Sequence, residues 1–294
     1  MKKGINAWCF PENMPLEDIF KLAKESRYDG VELNMEMAPG EAAASAGALA
    51  PSAAPAAPAA GIRLHLGLDD SGYAQIKALS DKYALPISSI STSLHWAYPL
   101  TDSDPAIREK GREIVRKMID AAHAFGCDTV LVVPGAVTAT VSYATAYHRA
   151  QQAFIDLSVY AETKKVIIGI ENVWNKFLLS PLEMARFLDE IGNKYIKSYF
   201  DAGNVLQFSY PQSWVEALGE RIAKVHIKDF DPAIGNITGF KPLLQGELDW
   251  CALMSALKNI GYDSYVTAEL SPYYTNPTQL IWDTSAAMDY ILSL

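Results

Sequence analysis

Apolar positions along the chain fall into short, nearly continuous runs, separated by stretches where they recur every three or four residues. The first run is "GINAWCF" at 4–10. After Pro15, Leu16, Ile19, Phe20 and Ala23 share one face at helical spacing, which predicts a helix opening at that proline. Further runs at 28–35, 85–94, 127–135, 165–172, 196–204, 222–230 and 264–271 read as strands two to eight. Between strands three and four, Asp104-Pro105 reads as an N-cap followed by a first-turn proline. Ile114, Val115, Met118, Ile119 and Ala122 then line one face, and Gly126 stops the helix. Ser180-Pro181-Leu182-Glu183 has the form of a capping box and starts another helix. Helical stretches near 212–220 and 250–260 separate the last strands. Strands apolar on both faces, alternating with helices, predict a parallel sheet covered by helices. Eight such units predict one α/β domain over 1–294, a closed (β/α)8 TIM barrel.

One segment breaks the rhythm. Residues 38–60, "APGEAAASAGALAPSAAPAAPAA", hold too few large apolar side chains to pack, and their prolines forbid a long helix. They read as a surface insertion after strand two, either a plain loop or a lid over the mouth, since βα loops lie on that side of a barrel.

Composition narrows the picture. The chain has 294 residues, half of them apolar, enough for one large core. A net charge of −9 argues against a nucleic-acid partner, which needs a basic footprint. Cys9, Cys127 and Cys251 are far apart and odd in number, so no disulfide framework or CxxC zinc site is expected. The start "MKKGINAWCF" lacks the apolar stretch of a signal peptide, and no apolar run is long enough for a membrane span. A cytoplasmic location is expected, with no membrane partner.

The chemistry gathers at strand ends. Strand five ends at Glu171, strand six at Asp201, strand seven carries His226, and strand eight ends at Glu269. In a barrel the C-terminal strand ends converge on one mouth. One such glutamate alone reads as a helix cap or an ion-pair partner. Four ligand-type residues in consecutive units read as a metal site. Three carboxylates and an imidazole suit one divalent cation, Mn²⁺ first, with Mg²⁺, Co²⁺ or Zn²⁺ as alternatives.

These motifs, "IENVW", "FDAGN", "VHIKDF" and "AEL" in that order, with "QGELDW" at 245–250, resemble the sugar-phosphate isomerase/epimerase superfamily, the xylose isomerase-like barrels. The resemblance spans the chain apart from 38–60. It implies a relative of ketose 3-epimerases, hydroxypyruvate isomerases, pentulose- or hexulose-phosphate epimerases, or inosose dehydratases. Apurinic-site endonucleases share the barrel but build a trinuclear zinc site from additional histidines. Asn204 stands where they and several 3-epimerases carry histidine, and Asp231-Pro232 occupy the neighbourhood where some 3-epimerases carry an arginine.

The resemblance implies a metal-dependent isomerase or epimerase of a small ketose, ketose phosphate or related keto-sugar, working by proton transfer through an enediolate. Glu171 and Glu269, from strands taken to lie across the barrel, would be ligands and also the acid/base pair; Asp201 and His226 would be ligands only. Return of the proton to the same carbon gives epimerisation, and to the adjacent carbon isomerisation. An inosose-type dehydratase is the alternative, followed by a phosphodiesterase or a non-catalytic sugar-binding barrel. Lys228, two residues after His226, faces the same side and reads either as a substrate-anion contact or as the ion-pair partner of Asp229 or Glu269. Asn204 and Asn172 read as hydroxyl binders and Glu32, closing strand two, as a polar substrate contact. Trp8 and Phe10, with His95 and Trp96, are a sugar-site wall or simply core. "AIGNITG" (233–239) is the one candidate phosphate turn. His65, His123 and His148 sit away from strand ends. The expected partners are a small-molecule sugar and further copies of the chain, as a homodimer or homotetramer.

Overall fold

The protein is described here as a computed structural model covering residues 1–41 and 61–294. Eight parallel strands close into a barrel: β1 (Lys2–Asn6), β2 (Gly30–Asn34), β3 (Ile87–Ser91), β4 (Thr129–Val132), β5 (Ile167–Glu171), β6 (Ile196–Asp201), β7 (Ile222–Ile227) and, after a short hairpin of β8 (Asp229–Phe230) and β9 (Phe240–Lys241), β10 (Tyr265–Ala268). Each barrel strand pairs with its sequence neighbour, and β1 closes the ring against β10.

The helices cover this ring. They are α1 (Leu16–Glu25), α2 (Asp70–Lys82), α3 (Pro105–Phe125), α4 (Tyr143–Lys164), α5 (Pro181–Ile191), the single turn α6 (Ala202–Val205), α7 (Pro211–Leu218), α8 (Trp250–Asn259) and α9 (Gln279–Ser293). The periodicity of α1 and α3 is realised, with Leu16, Ile19, Phe20 and Ala23, and Ile114, Val115, Met118, Ile119 and Ala122, all buried. Asp104 caps α3 by accepting the Ala106 amide, and Gly126 ends it at φ 72°, a left-handed conformation that suits glycine.

Three expectations are corrected. The first strand runs from Lys2 to Asn6, not through 10, because Asn6 accepts the Trp8 amide and coils Ala7–Cys9 into a 3-10 turn. Ser180 precedes α5 but its side chain makes no capping bond. Glu183 instead accepts the Tyr143 hydroxyl, so that capping box does not form. Strand six stops at Asp201, whose side chain caps α6.

The hydrophobic pattern left α2, α4 and α9 unmarked. In α4 the buried positions are mostly alanine, while Ile155 and Val159 face outward, which blurs the apolar stripe. Ala38–Glu41 begin the expected insertion; its remainder, 42–60, lies outside the described residues. No helix among the described residues is long and apolar enough to cross a membrane, and the three cysteines are free thiols.

Candidate metal centre

Glu171, Asp201, His226 and Glu269 come together at the C-terminal end of the barrel. One ligand atom from each lies within 4.8 Å of the others. The ladder explains the meeting: Asp201 pairs directly with His226 across β6 and β7, and Thr267 of β10 pairs with His226 from the other side. Glu171 ends β5 and Glu269 directly follows β10, two strands separated by β6 and β7. They therefore flank Asp201 and His226 along one arc of the barrel, rather than facing each other across its diameter as expected.

His226 is fully buried, and its two nitrogens meet different surroundings. Nε2 lies 2.7 Å from the Glu32 carboxylate. Nδ1 has no hydrogen-bond partner and lies 3.7 Å from Glu171, 3.7 Å from Glu269 and 3.9 Å from Asp201. Those separations are too long for hydrogen bonds. An orphaned imidazole nitrogen ringed by three carboxylates fits a divalent cation bound by mixed nitrogen and oxygen ligands, and the second-nitrogen carboxylate contact is a usual support for a metal-bound histidine.

Glu32 is thus not the sugar contact expected of it. It is fully buried and accepts from Asn6, Ser89 (2.5 Å), Tyr199 (2.6 Å) and His226. Burial works to raise its pKa, but the charge of His226 and these hydrogen bonds outweigh burial and hold it down at about 2. Tyr199 and Ser89 were missed in the sequence. Alternation points to both, since Tyr199 lies two residues before Asp201 on the same face and Ser89 pairs with Glu32 across β2 and β3.

Lys228 is buried and donates to Asp201 Oδ2 at 2.6 Å and to Glu269 Oε2. Its ammonium lies 5.3 Å over the Phe240 ring, and Gly203 leaves room for its stem. Of the two alternative ion-pair partners read for Lys228, Asp229 or Glu269, Glu269 is the one it meets, and Asp201 is a second. Asp229 instead accepts the amides of Phe230 and Leu248, tying the "QGELDW" segment to the barrel.

The carboxylates differ electrically. Burial, reinforced by the charges of Glu269 and Asp201, raises Glu171 to about 7. Burial also raises Asp201, against the pull of Lys228. For Glu269 burial is outweighed by Lys228 and His226, and its pKa falls below the ordinary value. Burial disfavours a charged His226, but Glu32 and Glu269 outweigh it and raise its pKa well above normal.

The amides after β5 and β6 form a clasp. Asn172 Nδ2 donates to the Asp201 carbonyl, its Oδ1 accepts the Asp201 amide, and Asn204 Nδ2 donates to the Asn172 carbonyl. Asn172 is therefore spent on backbone and corrected from a hydroxyl binder to a brace. Asn204 is tied in by one donor, while its amide is accepted by Asp201 Oδ1, which leaves Asp201 Oδ2 for the site. Trp174 donates to the Asn204 carbonyl and packs edge-on against Phe230. Trp8 is 40% exposed on its 3-10 turn, and Phe10 is core. His95 is buried, both its ring nitrogens lack partners, and burial lowers its pKa to about 4. The candidate phosphate turn uses four of its seven amides internally: Asp231 and Asn236 accept those of Ala233, Ile234, Thr238 and Gly239.

A model of the family described as xylose isomerase-like TIM barrel matches residues 41–289. Among relatives, fructoselysine 3-epimerase of Shigella flexneri is 23% identical, with 95% of this chain and 94% of that protein covered. L-ribulose 3-epimerase of Methylomonas sp. (strain DH-1) is 30% identical, but only 61% of this chain and 62% of that protein are covered. Among solved structures, an L-ribulose 3-epimerase superposes with a TM-score of 0.76 at 16% identity, covering 99% of this chain and 94% of that one. A D-psicose 3-epimerase determined in the presence of D-fructose gives 0.75 at 13% identity over the whole of both chains. Both likenesses establish the fold. With the family match extending over most of its length, the chain belongs to the xylose isomerase-like TIM barrels.

Proposed function

We propose that this enzyme epimerises a small ketose at the carbon next to its carbonyl, using one divalent cation, Mn²⁺ first, held by Glu171, Asp201, His226 and Glu269. The observation that carries the reading is the orphaned Nδ1 of His226 facing three carboxylate oxygens. The names of relatives, 3-epimerases of ribulose and fructoselysine, support the reaction class. When bound, the cation draws electron density from the substrate carbonyl and so acidifies the neighbouring C–H.

The chain's own groups then do the proton work. Two carboxylates on separate strands, flanking Asp201 and His226, suit opposite roles. Glu269, held down by Lys228 and His226, is the ready proton acceptor on one face. Glu171, beyond Asp201 and His226 on the same arc, is the second proton-transferring carboxylate and serves the other face. Lys228, fixed by its stem and the Phe240 ring, neutralises Asp201 and Glu269 and stands next to the reacting oxygens. His95, neutral and unpartnered, is the proposed hydroxyl contact, with Trp8 at the rim. Because four of the seven amides of 233–239 are consumed within their own loop, an unphosphorylated ketose fits better than a ketose phosphate.

The test is product analysis. Metal-free protein, with and without Mn²⁺, is incubated with D-allulose, D-fructose, L-ribulose and their phosphates. Mn²⁺-dependent formation of the C3 epimer from a free ketose supports the reading. A dicarbonyl chromophore instead identifies a dehydratase, and turnover without any divalent cation contradicts the site.

A further inference from the structure

Glu269 stands one residue beyond the end of β10, where the ladder to β1 has already stopped. The last rung pairs Ile5 with Ala268. β1 leaves the barrel wall at Asn6, so the backbone on either side of Glu269 loses its β1 partner. The 3-10 turn Ala7–Cys9 brings a side chain back to fill the gap. The Cys9 thiol donates to the Ala268 carbonyl at 3.4 Å and accepts the Leu270 amide at 3.1 Å. These two groups bracket Glu269. On its other side the Glu269 amide donates to the Ile227 carbonyl at 3.1 Å.

We infer that Cys9 is a positioning residue for Glu269, its thiol standing in for the missing rung between β1 and β10. A buried free cysteine commonly serves as a small apolar filler. A filler gives no reason for one sulfur to meet both an N–H and a C=O on the strand that carries a site carboxylate. The thiol is fully buried, and burial first of all keeps it protonated, with a pKa of about 12, so its donor is retained at working pH. The two bonds clamp the backbone from which Glu269 reaches Lys228, with His226 Nδ1 3.7 Å away. The sequence contains the signal only in retrospect, since Cys9 lies three residues beyond the end of β1 and no periodicity points to it.

The consequence for the metal site rests on the proposed ligand role of Glu269; the structural clamp does not. Two variants of the full chain separate them. Cys9→Ala removes both hydrogen bonds, and Cys9→Ser keeps a donor and an acceptor in the same place. Amide hydrogen exchange at Leu270 is followed by NMR, and Mn²⁺ affinity by titration. In Cys9→Ala, Leu270 exchanges about tenfold faster and Mn²⁺ binds several-fold more weakly, the scale of one lost hydrogen bond. Cys9→Ser recovers most of both. The inference is overturned if Leu270 exchange does not respond to Cys9→Ala, if serine fails to slow it again, or if exchange responds while Mn²⁺ affinity stays fixed. Glu269→Ala is the control: if it leaves Mn²⁺ affinity intact, the metal-site assignment fails, and Leu270 exchange alone still judges the clamp.

Discussion

Glu32 Oε1 and His226 Nε2 are 2.7 Å apart in the closed interior of the barrel, and this contact decides which ring nitrogen faces the mouth. With Nε2 committed to Glu32, Nδ1 is left for the cation. Glu32→Gln keeps the size of the side chain but removes its charge. We expect Mn²⁺ affinity to fall by about 10- to 100-fold, the usual cost of losing such a supporting carboxylate. Competition with a fluorescent chelator measures it; an unchanged affinity would show that Glu32 does not orient the imidazole.

Lys228 and a cation draw on the same carboxylates, Asp201 and Glu269. Lys228→Met retains the apolar stem and deletes the charge. Mn²⁺ should then bind about tenfold more tightly, since one unit of like charge beside the site is worth at least about 1 kcal/mol, while turnover drops. Calorimetric titration reads the affinity. Weaker binding in Lys228→Met would mean that the ammonium supports the metal instead of competing with it.

The pH dependence follows from Glu171. Its pKa is raised by burial from the ordinary 4.5 to about 7, so the metal-free protein holds a proton there that a cation must displace. Mn²⁺ affinity should climb as pH rises through about 7 and keep climbing above it, because His226, raised well above its ordinary value, must also give up a proton. The stability sign is the reverse. A raised folded-state pKa contributes stability that is complete below about 4.5 and is lost as pH rises through about 7. Asp201 and His226, both raised, act in the same direction. The melting temperature of metal-free protein should therefore fall between pH 5 and 7.5, and saturating Mn²⁺ should offset the fall. A flat profile in metal-free protein would remove the shifted carboxylate.

Gly203 is required by close approach. A Cβ there would lie 2.4 Å from Lys228 Cγ and 2.6 Å from the Lys228 carbonyl oxygen. Since the carbonyl cannot step aside as a flexible side chain does, Gly203→Ala should cost about 1–3 kcal/mol, the range for overpacking. Urea denaturation measures it. Full stability would show that β7 and α6 separate easily.

The barrel and its four-residue cluster were legible because strands end in ligand-type residues and the barrel brings those ends together. Glu171, Asp201, His226 and Glu269 each follow an apolar run that alternation alone reads. What surrounds them was not legible. Glu32 occupies the same kind of strand-end position as Glu171, yet register with Ser89 and Asn6 turns it under His226. Asn172 looks like a polar contact until its amide is seen to close on the Asp201 backbone. Lys228 could be read as substrate contact or ion-pair partner, and only the position of Gly203 and Phe240 fixes its head between two carboxylates. Helix α4 escaped notice because alanine fills its buried face. In each case the missing information is a pairing between elements far apart in the chain.

The central claim is that Glu171 and Glu269 pass a proton to and from a carbon next to a carbonyl. Solvent deuterium follows that proton directly. Wild-type protein with Mn²⁺ and a ketose it turns over should wash deuterium into that carbon in D₂O. Glu171→Gln and Glu269→Gln keep an oxygen for the cation but cannot take a proton. Each should lower kcat by at least about 10²-fold, the low end for general acid–base catalysis, and exchange deuterium on one face at most. Near-normal turnover by Glu269→Gln with Mn²⁺ bound, or epimerisation by the wild type with no deuterium in the product, would contradict the account.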